Sequence, residues 1–206
     1  MPPRTARGRA TRERIVASAS ELIGQRGIAQ TSLDDVIERA GASKSQLYHY
    51  FEDRAALLRA VVAHNTEEVL ASVGEVDDSW AAIRAWLDSM VDLQFERRAC
   101  GGCPIGSLVP QLAETDERAR RALADSFTRW EALLRDGLRS MQRNGKLDRR
   151  ADPDALATAT MAAIQGGLLL TQTRRDPGQL AIAVDAAYRH LRSHAARAGM
   201  RGAGRR

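Results

Sequence analysis

The chain has 206 residues, of which 44% are hydrophobic and 28% charged, an ordinary globular composition that excludes the disordered and fibrous classes. The formal charge of +5 is unevenly placed: residues 1–14 hold five Arg and one Glu, residues 189–206 hold six Arg and no acid, and residues 15–188 are left with −5. Basic ends on an acidic body suit an anionic polymer, because the ends can reach phosphates while the body resists indiscriminate adsorption.

No stretch approaches the roughly 18 uncharged apolar residues of a membrane-spanning helix. Even the apolar run 161–170 is interrupted by Gln165, Gly166 and Gly167. The Arg-rich start is not followed by the apolar segment of a secretory signal, and two cysteines cannot build a disulfide framework. These features predict a cytoplasmic location and no membrane partner.

In chain order, the apolar spacing is helical nearly throughout, without period-two alternation, so the fold class is all-α. A first helix is predicted over 11–26, with Ile15, Ala19, Leu22 and Ile23 on one face and Gly27 just past its end. Ser32 with Asp35 has capping-box spacing and opens a short second helix that buries Leu33, Val36 and Ile37. After Ala40-Gly41-Ala42, Ser43 with Gln46 opens a third helix ending near Phe51. Two short helices joined by a Gly-containing turn form a helix-turn-helix pattern. Asp53 caps a fourth helix, to about residue 71. Longer helices follow over 79–97, 116–144, from Asp152-Pro153 to 175, and from Asp176-Pro177 to 197.

In the third helix, Leu47 and Phe51 face the core, which turns Lys44, Ser45, Gln46, Tyr48 and His49 outward. A cation, hydroxyl, amide and aromatic on a short exposed helix have little packing purpose. A major groove uses them: Ser and Gln read base edges, and Lys, Tyr and His meet phosphates. Arg54 and Thr31 offer further phosphate contacts, at the starts of the fourth and second helices. Tyr50, next to Phe51, fits a core position as well as a surface one.

The segment TSLDDVIERAGASKSQLYHYFEDRAALL within residues 11–62 resembles the DNA-binding domain of the TetR-type bacterial transcriptional regulators, through S-K-x-x-L-Y-x-Y-F followed by x-x-[KR]. The resemblance implies about nine helices in a homodimer: a three-helix head (1–53), a ligand-binding and dimerisation body (54–198, linked to the head by helix 54–71) and a disordered basic tail (199–206). It also implies base contacts near Ser45 and Gln46, with Ser43 in the same segment, and backbone contacts from Lys44, Tyr48, His49 and Arg54. Gln46 departs from the pattern, since many relatives carry a small residue there. Arg4, Arg7, Arg9 and Arg12, placed before the first helix, would form an arm against phosphates or the minor groove.

Five of the six aromatics outside residues 48–51 fall between 80 and 130, an uneven spread for plain core. Trp86, Met90, Phe95, Phe127, Trp130, Met161 and Gln165 are the candidate walls of an apolar or aromatic ligand site. The last two helices are rich in small residues, and Ala163, Gly167, Leu170, Leu180, Val184, Ala187 and Leu191 are the candidate dimer interface. Cys100-Gly101-Gly102-Cys103 is compatible with a redox pair, half a zinc site completed by His190 and His194, or plain structure. The stretch CGGCPIGSLVPQLA resembles a Cys-Pro segment in a subgroup of TetR-type regulators that includes drug- and flavonoid-responsive repressors; there Cys103 would be a small buried residue.

The four histidines are scattered and no nucleophile elbow, phosphate loop or H-E-x-x-H occurs, which argues against an enzyme. No cofactor or metal is expected. The reading is a repressor released from a palindromic double-stranded DNA operator by a small apolar or aromatic inducer. The alternative is a redox- or electrophile-sensing repressor using Cys100 and Cys103.

Overall fold

The computed structural model describes residues 5–196, so the expectations for Arg4 and for the tail 199–206 lie outside the described residues. The described chain is all-α: α1 (Ala6–Arg26), α2 (Leu33–Ala40), α3 (Lys44–Tyr50), α4 (Arg54–Val73), α5 (Trp80–Glu96), a 3-10 turn (Gly106–Leu108), α6 (Val109–Leu112), α7 (Glu117–Arg143), α8 (Pro153–Arg174) and α9 (Gly178–Ser193). The segment 106–112 shows no helical period in the sequence because its two elements are three and four residues long.

Two compact units divide the chain, residues 1–72 with 101–128 and residues 73–100 with 129–206. Within the first unit, segment 101–128 is tied to α4 by three contacts: Arg59 with Asp116 at 2.9 Å, Asn65 Nδ2 donating to the Pro104 carbonyl at 3.1 Å, and Thr66 with Ser126 through their hydroxyls at 2.7 Å.

The head of the first unit is built by caps and a small core. Thr5 accepts from the Gly8 N–H and starts α1 five residues before the expected position, at Ala6 instead of Thr11. Arg and Ala are good helix formers, but residues 6–10 contain no large apolar side chain, so periodicity alone misses them. Ser32–Asp35 and Ser43–Gln46 form the two capping boxes, and Gly41 closes α2 in the left-handed region, with φ 55°. Ile15, Ala19, Val36, Ala40, Leu47 and Phe51 are buried, whereas Leu33 and Ile37 are half-buried. Full burial of a Leu or Phe contributes about 1.5–3 kcal/mol.

In the second unit, α8 and α9 approach closely at Gly167, where an added Cβ would lie 2.8 Å from Leu180 Cδ1 and 2.9 Å from Ala183 Cβ. Thr171 Oγ1 accepts from the Leu180 N–H at 3.1 Å, satisfying one of the free donors at the start of α9. Arg84 joins α5 to α9 through Asp185 at 3.1 Å. α9 ends at Ser193, four residues before the expected end, because the chain turns to pair Ala195 with Leu147 in an isolated antiparallel bridge. The Asp148 N–H then donates to the His194 carbonyl at 2.9 Å.

Candidate nucleic-acid interface and binding body

The sequence S-K-S-Q-L-Y-H-Y folds as it does because one side of α3 is apolar and its start is capped. Leu47 (0% exposed) and Phe51 (2%) anchor the helix, and Lys44, Ser45, Gln46, Tyr48 and His49 are all exposed, with Tyr48 at 49%. Tyr50 is half-buried, its ring edge-on to His49 at 5.0 Å. Ser43 and Gln46 serve the cap: Ser43 Oγ accepts from the Gln46 N–H at 3.1 Å, and Gln46 Oε1 accepts from the Ser43 N–H at 2.8 Å. Of the Gln46 amide, the NH2 group is therefore the part available to a base edge.

Two residues expected at phosphates hold contacts within the chain. Thr31 is buried and its hydroxyl donates to the Gly27 carbonyl at 2.8 Å, so it turns inward and leaves the cap of α2 to Ser32. Arg54 is exposed, but its guanidinium donates to the carbonyls of Ile28 and Thr31, the latter at 2.8 Å. It clamps the loop between α1 and α2.

Three arginines of the expected arm lie on α1 itself. Arg7 and Arg9 are exposed in the first turns of α1, and Arg12, further along α1, lies with its guanidinium 5.2 Å from the centre of the Phe51 ring. No acid occupies the first turn of α1, so its cations face the positive end of the helix dipole, an arrangement that a phosphate would relieve. On α2, hydrogen bonds from Ser32 are the main reason the Asp35 carboxyl is held below the usual carboxylate range, with Arg26 adding to the effect.

In the second unit the expected ligand residues separate. Trp86, Met90, Trp130 and Met161 are buried, Gln165 is half-buried, and Phe95 stands 58% exposed and so does not line an enclosed wall. Phe127, half-buried, belongs to the first unit. A cleft of about 470 Å³ is lined instead by Glu75, Asp77, Asp78, Leu133, Asp136 and Ser140, among others, none of them an expected ligand residue. Asp78 there already accepts from Lys146, Asn144 and Ser140, with Lys146 the main cause of its lowered pKa. The sequence reading also missed Gln94, a buried polar residue. The signal is visible as a polar break in the i, i+4, i+8 stripe Trp86, Met90, Gln94.

The residues expected at the dimer seam divide by burial. Leu180, Val184 and Leu191 are fully buried in their own chain, as are Gly167 and almost all of Ala187, because these side chains fill the α8–α9 contact and the core beneath it. Of the expected set, Ala163 is half-buried and Leu170 exposed. The large apolar side chains left exposed on these helices are Leu169, Leu170 and Ile182.

Cys100 is exposed and accepts from Arg175 Nη1 at 3.1 Å, whereas Cys103 is buried and accepts from the Gly106 N–H at 3.2 Å. His190 and His194 pack edge-on at 5.1 Å. No helix among the described residues is long and apolar enough to cross a membrane.

Residues 15–61 match the family described as bacterial regulatory proteins, tetR family, and residues 79–186 match the LmrA/YxaF-like transcriptional regulator C-terminal domain. An uncharacterized HTH-type transcriptional regulator of Mycobacterium tuberculosis is 31% identical over 193 residues, covering 88% of this chain and 92% of its own. The uncharacterized HTH-type transcriptional regulator YxaF of Bacillus subtilis is 28% identical over 177 residues, covering 84% and 90%. A TetR transcriptional regulator from Chloroflexus aurantiacus has the same fold, with a TM-score of 0.79 at 22% identity over 93% of this chain and 98% of that one. The helix-turn-helix match covers the head whose outward face is described above, the C-terminal match alone spans just over half of the 206 residues, and the chain belongs to the TetR family of DNA-binding bacterial transcriptional regulators.

Proposed function

We propose that the protein is a cytoplasmic homodimeric repressor that two α3 helices seat on a palindromic operator and that a small apolar or aromatic molecule releases. The observation that carries the reading is the face of α3: a buried Leu47–Phe51 anchor presents Lys44, Ser45, the Gln46 NH2 group, Tyr48 and His49 to a groove. Lys44, Tyr48 and His49 suit phosphates, Ser45 and Gln46 suit base edges, and Arg7 and Arg9 on α1 suit the flanking backbone. Ser43, Thr31 and Arg54 act as supports of that surface.

The dimer seam best supported is the outward face of α8 and α9. Ala159, Ala162, Gly166 and Leu169 repeat at alternating spacings of three and four on α8, all exposed, and Ile182 and Ala186 are exposed on α9. Small side chains at such spacing permit close helix approach, and two helix pairs make a four-helix interface about a two-fold axis.

Ligand in the second unit would bias the spacing of the two α3 helices, and a coupling of about 1–3 kcal/mol changes operator affinity about 5- to 150-fold. The test is transcription from a promoter that overlaps an operator selected from random duplexes. Added protein should lower the transcript and inducer should restore it; a raised transcript would overturn repression.

A second reading, electrophile sensing, is favoured by Cys100. Its sulfur is exposed and held by Arg175, which also donates to the Ala99 carbonyl at 3.4 Å, so alkylation of Sγ would displace Arg175 from both partners. N-ethylmaleimide should then weaken operator binding by wild type and not by Cys100→Ser; equal loss in both would remove the reading.

A further inference from the structure

Arg135 Nε, shut away without a hydrogen bond, still lies 3.6 Å from carboxylate oxygens of Asp136 and Asp154, but three uncharged polar atoms of the second unit are shut away from solvent with no hydrogen-bond partner: the indole Nε1 of Trp86, the indole Nε1 of Trp130 and the amide Oε1 of Gln94. Their residues are 4%, 3% and 3% exposed. Folding removes each atom from water and gives nothing in return, so each is costly, and an unmet group of this kind in a native structure points to an absent partner. Trp86 and Gln94 share one stripe of α5 with Met90 between them, and Trp130 lies on α7 in the same unit. On α8, Gln165 Nε2 donates to the sulfur of Met161, a weak acceptor, at 3.6 Å.

Resting on the reading of the body as a ligand site, we infer that Trp86, Trp130 and Gln94 are the polar anchors of that site and that its ligand is an uncharged aromatic molecule carrying both hydroxyl donors and oxygen acceptors. The two indoles donate, so the ligand must present acceptor oxygens. Gln94 Oε1 accepts, so the ligand must also present an O–H or N–H. The remaining surface these residues offer is aromatic ring and thioether, which suits a flat apolar body. None of the anchors carries charge, so a carboxylate would enter unpaired and be rejected.

Calorimetric titration of the purified full-length protein with four naphthalenes of one shape tests this. 2,6-Dihydroxynaphthalene supplies donors and acceptors, 2,6-dimethoxynaphthalene acceptors alone, 2,6-dimethylnaphthalene neither, and naphthalene-2,6-dicarboxylate charge. Affinity should fall in that order, with about tenfold between the dihydroxy and dimethoxy compounds, the scale of one hydrogen bond to an otherwise unmet group. Gln94→Met, a change of similar volume, should cut that tenfold step to about twofold while the dimethyl compound binds as before. If the dimethyl compound binds wild type as tightly as the dihydroxy one, or the dicarboxylate binds best, the polar assignment is overturned and the ligand-site reading stands. If none of the four binds, the ligand-site reading falls and the inference with it. Should Gln94→Met fail to fold, the wild-type series alone decides.

Discussion

Gln46 and Ser43 cap one another: Gln46 Oε1 takes the Ser43 N–H at 2.8 Å and Ser43 Oγ takes the Gln46 N–H at 3.1 Å. One side chain therefore has two duties, to start α3 and to offer its NH2 group outward. The duties separate on substitution. Gln46→Ala should lose about 1 kcal/mol of stability through the cap. Gln46→Glu keeps the reciprocal bond and should melt near wild type, yet weaken operator binding by placing a carboxylate at the phosphates. Thermal melts and operator anisotropy on the two variants check this.

Arg54 offers a sharper distinction between support and contact. Because its guanidinium holds the Ile28 and Thr31 carbonyls, Arg54→Ala should lower stability by about 1 kcal/mol and leave the salt dependence of DNA binding unchanged. Lys44→Ala should do the reverse, lowering the slope of log K against log salt by about 0.9 with little change in melting. A fall in slope for Arg54→Ala would make it a phosphate contact after all.

At the proposed seam, Ile182→Glu should give folded monomers in sedimentation, since Ile182 is 68% exposed. Leu191→Glu should instead unfold the chain, because Leu191 is fully buried and a carboxylate there has no partner. A folded Ile182→Glu dimer would move the seam elsewhere.

Acid should loosen the start of α7. Hydrogen bonds from Arg120 at 2.6 Å and Arg121 at 2.9 Å hold the Glu117 pKa down, from an ordinary 4.5 to about 2. A carboxyl whose folded-state pKa is depressed stabilises the fold above its unfolded value, and the contribution is lost as pH falls toward the folded one. The melting difference between wild type and Glu117→Gln should therefore be largest above about pH 5, shrink through pH 4 to 3 and vanish near pH 2. Both partners are exposed, so added salt should reduce the difference too.

Caps and long amphipathic faces were legible in the sequence because each is a local rule: Ser32, Ser43, Ser79 and Asp152 all cap the helices they precede. What periodicity could not see was helix without an apolar face, as in residues 6–10, or too short for one, as in α6. The outward face of α3 was legible because Leu47 and Phe51 fix its rotation. Which face of α8 and α9 packs inside the chain was not, since a stripe of small and apolar side chains looks the same whether it meets a partner or its own neighbour. Only the contact at Gly167 assigns Leu180 and its row to the inside. Gln94 was passed over because burial of a lone amide is decided by helices distant in sequence.

The most direct test of the account is selection of duplexes from a random-sequence pool by the purified protein, followed by anisotropy of the winner with wild type and Tyr48→Ala across a salt series. The account predicts a palindromic winner, with major-groove half-sites about 10 base pairs or a multiple apart, bound by a dimer and at least about tenfold more weakly by the variant. No enrichment over the starting pool, or equal weak binding of both proteins to every duplex, would contradict it.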